Sequence, residues 1–271
     1  MPMPPRPSRR SLDPSWVPTR RPGWRRRRPP RPVSRQVLGG LAVLGGVALA
    51  VGLWRRWGFP VRHRVREVDE LTGQPEPLPA DCPPEETPVQ APEDGAGAAF
   101  HRRYWVDIEG ATLSAEALMA KVQADPGAFS PVEIARFEKT KGEEGQLAVG
   151  DEFFIHITSP WNGPVRTTRV TPTSFTFCTL EGHLEAGQIR FSLKPHLTDP
   201  DVLRFTIESW ARSRDALVDF AYDKLLVART AQQAMWTFYC ERIVEASGGR
   251  RRGDIEVVTE RAPAPDEDEG A

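Results

Sequence analysis

One short stretch of this 271-residue chain, between Phe175 and Gly187, combines residue types at a spacing that could support acid–base chemistry. His183 follows Gly182 directly and precedes Glu185 by two positions. An imidazole beside a carboxylate can act as a general base or contact a ligand at the mouth of a cavity. The alternative is a structural histidine whose ring caps the backbone groups of a turn. The sequence leaves both roles open.

A thiolate pair of Cys178 with His183 is a second chemistry that this stretch allows. A cysteine in a strand, however, is usually a small buried hydrophobic residue. His156 and His196 have no metal-ligand spacing with His183, so no metal site is predicted. The chain also contains no Gly-x-Ser-x-Gly motif, P-loop or dinucleotide fingerprint. We therefore expect no cofactor, and the sequence leaves open whether the protein is an enzyme.

Further polar and aromatic residues are candidates for ligand contact. Gln232 falls within the apolar stripe of a predicted helix, so its amide either bonds sheet backbone or faces a polar ligand group. Arg212, at a strand end, either holds an anion or pairs with a neighbouring acid. Trp210 and Trp236 either line a cavity or belong to the core. The predicted ligand-binding set is Thr179, Gly182, His183, Trp210, Arg212, Gln232 and Tyr239; the candidate catalytic residues are His183 and Glu185.

Strands must position most of these residues. The β-favouring run from Phe175 to Thr179 predicts one strand. After Gln188, apolar and polar residues alternate, which predicts a second strand with one buried and one wet face. Further strands are predicted at residues 104–109, 152–158, 165–171 and 202–211. In the last of these, one face carries Leu203, Phe205, Ile207, Ser209 and Ala211.

Three helices are predicted around these strands. Ser114 caps the first, which extends to Ala124 with Leu118, Met119 and Val122 as its apolar side. Ser130-Pro131 predicts the start of a second helix over residues 130–139. The third is long, over residues 219–246, with apolar residues at three- and four-residue steps.

The N-terminal part of the chain predicts a membrane anchor. Residues 1–36 contain eleven Arg and one acid, which indicates a disordered tail. The run from Val37 to Trp54 has no charged or polar side chain and, as a helix, reaches about 27 Å. Eleven Arg precede this run and only five follow it. By the positive-inside rule, this imbalance places the N-terminus in the cytoplasm and the main domain outside. An uncleaved anchor is favoured over a cleaved signal peptide.

The remaining boundaries follow from composition. Residues 55–99 are rich in Pro and acids, which predicts an extended stalk that carries Cys82. A folded domain is expected over residues 100–247, followed by a disordered charged tail at 248–271.

The order of predicted elements resembles the helix-grip fold of the START and birch-pollen-allergen superfamily, an α+β architecture. In that fold a curved antiparallel sheet wraps a long C-terminal helix around an apolar cavity. The stretch Phe175 to Gly187 resembles the bacterial and plant family known as domain of unknown function nineteen-ninety, over roughly residues 146–246. Its motif is matched by Thr179, Leu180, Gly182, His183, Glu185 and Gly187; weaker matches are Ser209 to Ser213, Gln232 and Tyr239.

These observations predict a membrane-anchored helix-grip domain that binds a hydrophobic or amphipathic small molecule, or a lipid, between sheet and helix. One alternative is an enzyme on the same fold that uses His183 and Glu185. Another is an interaction protein that acts through its Arg-rich tail on anionic lipid or nucleic acid. Nucleic acid is the less favoured partner because a membrane segment follows the tail, and the oligomeric state is left open.

Overall fold

The computed structural model describes residues 61–78, 87–157, 162–214 and 226–264. Its strands are β1 (Val61–Glu67), β2 (Ala96–Glu109), β3 (Ala135–Lys141), β4 (Glu152–Ile157), β5 (Gly163–Thr171), β6 (Ser174–Thr179), β7 (Glu185–His196), β8 (Asp199–Ser213) and β9 (Arg250–Ala262). Its helices are α1 (Ala115–Ala124) and α2 (Leu226–Ser247), with 3-10 turns at Pro92–Asp94 and Pro126–Phe129.

The strands form one sheet in the order β1-β9-β2-β8-β7-β6-β5-β4-β3. Neighbours in the sheet are antiparallel except β1 and β9, which run parallel. Register shifts interrupt several of the ladders, including that of β2 with β8, and such bulges increase the bend of a sheet. The result is an α+β fold in which a large curved sheet packs against α2, as expected for a helix-grip domain.

The core lies between the inner face of the sheet and the two helices. The helix α2 contributes one apolar stripe, and Phe191, Phe205 and Trp236 stack around Tyr239 at ring-centroid distances of 5.4–6.0 Å. The buried residues of the stripe are Met235, Trp236, Tyr239, Cys240, Ile243 and Val244. This three- and four-residue spacing was predicted. The predicted start of the helix at residue 219 lies outside the described residues.

The first helix agrees with its prediction. The Ser114 side chain accepts a hydrogen bond from the Ala117 N–H at 3.2 Å, which is the expected N-cap. Leu118, Met119 and Val122 are completely buried. The predicted strands of the central sheet are also present, and their apolar faces point inward as the alternation indicates. The first of them, predicted over residues 104–109, begins much earlier, at Ala96.

The second predicted helix, over residues 130–139, is wrong. The chain there forms a 3-10 turn at Pro126–Phe129 and then the edge strand β3. The helix-start signal at Ser130-Pro131 is local, whereas pairing with β4 supplies β3 with a full ladder of interstrand hydrogen bonds. Ladder formation therefore outweighs the local helix propensity.

The predicted disordered tail at 248–271 is wrong for the part that the structure describes. Arg250–Ala262 is strand β9, which inserts between β1 and β2. Ile255 and Val257 are completely buried in the main core. The charges of the segment hid this alternation. Most of its acidic and basic residues pair with neighbouring strands, and Arg251 pairs with Glu241 of α2.

The predicted stalk at residues 55–99 is also wrong in the regions described. Val61–Glu67 is strand β1, and Ala96 already belongs to β2. Between them, Glu76 forms ion pairs with Arg169 at 2.9 Å and Arg190 at 2.8 Å on the outer face of the sheet. The face of β7 predicted to be wet is therefore partly covered, because Gln188 and Ser192 on it are buried.

Within the described part of the chain, neither helix is both long and apolar enough to cross a membrane. The predicted span Val37–Trp54, the Arg-rich residues 1–36 and Cys82 lie outside the described residues.

Candidate functional site

A cavity of about 80 Å³ lies between the inner face of the sheet and α2. Its walls are mostly apolar, and helix α2 closes one side with Met235 and Trp236. Pockets for drug-sized ligands usually measure about 300–1,000 Å³. The cavity is therefore sized for a small molecule rather than a lipid chain. Its other apolar lining residues include Ile134, Phe137, Ile155, Ile157, Val165, Phe177, Ile189 and Ala211.

His183 lies in the loop between β6 and β7 and lines this cavity. Its Nδ1 is 2.9 Å from the backbone N of Glu185 and 3.1 Å from the backbone O of Glu185. The ring therefore does cap the turn, as the structural alternative expects, and it faces the cavity as well. Burial lowers the pKa of His183 below its ordinary value of 6.5, and this outweighs the opposing effect of the Glu185 charge. The imidazole is accordingly neutral at pH 7.

Gly163 fixes the position of this ring. A Cβ at Gly163 would lie 2.1 Å from Cδ2 and 2.6 Å from Cγ of His183, so only glycine leaves room for the imidazole. The sequence Asn162-Gly163 predicts a turn, but Gly163 is instead the first residue of β5. Close approach of a side chain, rather than turn geometry, accounts for the glycine.

Thr179 lines the cavity, but its hydroxyl is committed to backbone groups. It donates to the Gln90 carbonyl at 2.8 Å and accepts from the Gly187 N–H at 2.9 Å. The Gln90 side chain in turn donates to the backbone O of His183 at 3.2 Å and of Glu185 at 3.0 Å. Gln90 therefore secures the loop around His183 from a segment that sequence reasoning assigned to the stalk.

Glu185 also lines the cavity, and its carboxylate has a cationic partner. Arg102, a buried residue of β2, lies 3.7 Å from it and contacts the Phe100 ring at 4.6 Å. The pair places balanced charge at one end of the cavity.

Two other polar groups on the cavity wall have no hydrogen-bond partner among the described residues. Gln232 reaches the cavity from α2, and Ser209 reaches it from the inward face of β8. Sequence reasoning selected Gln232 and missed Ser209 as a site residue. The available signal was a polar residue within the inward apolar row of β8.

The structure does not bring four predicted ligand-binding residues to this cavity. Gly182 shapes the loop with a φ of +97°, and Tyr239 lies within the core, where burial raises its pKa. Trp210 and Arg212 face the opposite side of the sheet, where they line an open groove of about 1,030 Å³. Arg212 donates there to the Gly97 carbonyl at 3.0 Å.

A buried ionic network occupies that outer face. His101 lies 2.9 Å from Glu208 and 3.2 Å from Glu260, and its ring stacks on Trp210 at 5.1 Å. Burial acts to raise the pKa of Glu208, but hydrogen bonds from His101 and Arg190 outweigh it, so this pKa is lowered. For Glu260, hydrogen bonds from Thr72 and His101 likewise outweigh burial and lower the pKa.

The two cysteines of the described chain, Cys178 and Cys240, are buried and form no disulfide. Burial raises the pKa of the Cys240 thiol far above its ordinary range. The part of the chain that the structure describes contains no group of three His, Cys, Asp or Glu arranged to hold a metal.

Comparison with known sequences and structures gives a family match and distant structural similarity. The sequence profile of the family described as Domain of unknown function (DUF1990) matches residues 99–242, more than half of the chain. The chain matches no curated protein.

Three solved structures illustrate the structural similarity. A hypothetical protein from Helicobacter pylori is 10% identical, with a TM-score of 0.41 and coverage of 66% of this chain and 99% of that one. The di-domain aromatase/cyclase StfQ of steffimycin biosynthesis is 11% identical, with a TM-score of 0.41 and coverages of 58% and 52%. Norcoclaurine synthase from Thalictrum flavum, in complex with dopamine and hydroxybenzaldehyde, is 11% identical, with a TM-score of 0.39 and coverages of 65% and 95%.

Proposed function

Because this chain belongs to the family described as Domain of unknown function (DUF1990), whose description assigns no activity, we propose a function from the geometry alone: binding of a small, largely apolar molecule between the sheet and α2. The observation that carries the proposal is an apolar cavity whose wall holds polar groups without described partners, from His183, Ser209 and Gln232. Polar groups that stay accessible on an otherwise apolar wall are available to orient a bound molecule.

The size of the cavity limits the size of the proposed ligand. At about 80 Å³ it accepts a compact molecule of a few heavy atoms, and a lipid chain would require the helix or a loop to move. The proposed ligand is therefore a hydrophobic or amphipathic small molecule.

Binding is favoured over catalysis by the same geometry. The Nδ1 of His183 is engaged by the backbone of Glu185, and the Glu185 carboxylate is balanced by Arg102. Neither group is therefore poised for proton transfer in this arrangement. Action through the Arg-rich tail concerns residues outside the described ranges, so the present geometry favours no such role.

Methyl NMR on the full-length chain in detergent micelles tests the binding proposal. With ¹³C-methyl methionine, Met235 reports from the cavity wall and Met119 from the core beneath α1. Titration with cyclopentanone or methylenecyclopentane is expected to shift the Met235 signal saturably and to leave Met119 unchanged.

Paired variants locate the binding. Ser209→Leu fills the cavity and is expected to abolish the shift of Met235. Thr206→Leu adds the same side chain to the same strand on the outer face and is expected to preserve it. Equal shifts of Met235 and Met119, or full binding by Ser209→Leu, would refute a ligand site in the cavity.

We further propose that the domain is attached to a membrane by a single span at Val37–Trp54, with the N-terminus in the cytoplasm. The uncharged 18-residue run and the excess of Arg before it support this arrangement. Alkaline phosphatase fused after Ala271 is expected to be active, and a cytoplasmic reporter at the same point inactive. The reverse pattern would contradict the orientation.

A further inference from the structure

The loop around His183 controls which ring nitrogen carries the proton. Two backbone groups of Glu185 approach Nδ1: the N–H at 2.9 Å and the carbonyl at 3.1 Å. Only one of them can bond it, because the N–H requires an unprotonated nitrogen and the carbonyl requires a protonated one. The chemistry available in the cavity depends on this choice.

The neighbouring contacts favour the N–H. The Glu185 carbonyl already accepts a hydrogen bond from the Gln90 side chain at 3.0 Å, so its need for a donor is met. The Glu185 N–H is 2.9 Å from Nδ1, which is the closer of the two contacts. Nδ1 is therefore the acceptor, and in a neutral ring the proton resides on Nε2.

The packing of the His183 ring determines the direction in which the Nε2 proton points. The Cγ–Cδ2 edge lies against Gly163, and Nδ1 faces the Glu185 backbone. The remaining edge, Cε1–Nε2, is the part left for the cavity that His183 lines. The Nε2 has no partner among the residues that the structure describes, so its N–H can donate a hydrogen bond to a ligand in the cavity.

We propose that this Nε2–H selects uncharged ligands that carry a hydrogen-bond acceptor oxygen, such as a compact carbonyl compound, over hydrocarbons of the same shape. This inference rests on the proposed function and specifies its ligand class. An uncharged ligand is favoured because the one carboxylate on the wall, Glu185, is already paired with Arg102. The Gln232 amide and the Ser209 hydroxyl are placed to add further hydrogen bonds.

The test compares cyclopentanone with methylenecyclopentane, which have nearly the same shape and differ in the acceptor oxygen. Each dissociation constant is measured from the Met235 methyl shift in the full-length protein. The ratio of the two constants is compared between the wild type and His183→Asn, so that differences in hydration of the probes cancel. Asparagine keeps an acceptor near the Nδ1 position and removes the Nε2–H.

We expect the preference for cyclopentanone to fall by about 3- to 10-fold in His183→Asn, the range of one net hydrogen bond. His183→Gln, whose amide nitrogen can reach the Nε2 position, is expected to recover part of it. An unchanged ratio in His183→Asn would overturn acceptor selection and leave the cavity as a binding site. Failure of both probes to shift Met235 would remove the binding proposal itself.

The tautomer has an independent test that needs no ligand. Two-bond ¹H–¹⁵N correlations of the imidazoles, recorded near pH 7.5, distinguish Nε2–H from Nδ1–H histidines. The His183 signals are identified by their absence in His183→Asn. The Nε2–H pattern is expected, and an Nδ1–H pattern would overturn the inference.

Discussion

The two faces of the sheet differ in whether their polar side chains have hydrogen-bond or ion-pair partners within the protein. Adjacent positions of β8 show the contrast: Glu208 points outward and is bonded by His101 and Arg190, whereas Ser209 points inward with no described partner. On the outer face, charged groups complete one another and pin the segment around Glu76 to the sheet. On the inner face, polar groups are left for something else. The charged groups of the outer face thus have structural partners, whereas polar side chains on the cavity wall remain available to a ligand.

The largest expected effect comes from breaking the outer network. Glu260 is buried and bonded to His101 and to Thr72, so Glu260→Ala removes one of the two carboxylates that bond the buried His101. We expect a loss of about 3–5 kcal/mol in the free energy of unfolding, measured by chemical denaturation.

Glu256 on the same strand is the matched control. Its partners Arg62 and Arg64 are more than half exposed, so Glu256→Ala should cost less than about 1 kcal/mol. Equal costs at Glu256 and Glu260 would show that the outer network contributes no more than a surface ion pair.

The second-largest expected effect on stability comes from filling the space next to the His183 ring. Gly163→Ala places a methyl group 2.1 Å from Cδ2 of His183, so the ring must move at a cost of about 1–3 kcal/mol. The free energies of unfolding of Gly163→Ala, His183→Ala and the double variant form a cycle. The double variant is expected to lose less than the sum of the two single changes, and strict additivity would exclude the clash as the cause.

A third prediction separates two hydroxyls on the same cavity wall. Thr179→Val keeps the shape but removes the hydroxyl bonds to the Gln90 carbonyl and the Gly187 N–H. Because that N–H also donates to the Gln90 carbonyl at 2.9 Å, the expected cost is about 0.5–1.5 kcal/mol. Ser209→Ala removes an uncommitted hydroxyl and should change stability by less than about 0.5 kcal/mol. If Ser209→Ala proves the more damaging, its hydroxyl has a structural bond and does not belong to the ligand site.

The smallest effect is the pH dependence of His183. Because burial lowers its pKa in the folded chain, the unfolded chain binds the proton first as pH falls below 6.5. Its contribution is thus complete above pH 6.5 and declines below it, by at most about 1.4 kcal/mol per pH unit. The stability advantage of wild type over His183→Asn should shrink between pH 7.5 and 5.5, and a constant difference would contradict the lowered pKa.

The parts of the fold predicted correctly share one property: their signal is local. The inward row of β8 and the apolar stripe of α2 follow from side-chain periodicity, and Ser114 caps α1 through its own side chain. Strand β9 has the same alternation at Ile255 and Val257 but was missed. Its alternating charges indicate a strand only when their partners on β1 and β2 are known.

The residues of the candidate site also differ in whether the local sequence gives a signal for them. Gly182, His183 and Glu185 were singled out from their spacing and family motif, and His183 and Glu185 do line the cavity. Gln90 and Gly163 were not, because each acts on a residue at least twenty positions away. A hydrogen bond to a distant loop leaves no pattern in the neighbouring sequence.

The sequence by itself determined the family, the α+β class and the direction in which each central strand faces, because periodicity and short motifs record local preferences. Only the tertiary structure decided which polar groups are used up. In the sequence, His183 and Glu208 are both titratable residues whose hydrogen-bond partners cannot be identified. The fold gives Glu208 two hydrogen-bonding partners, His101 and Arg190, and leaves the Nε2 of His183 facing an apolar cavity. Hydrogen bonds between residues that are distant in the chain depend on the tertiary structure, and no local sequence pattern records them.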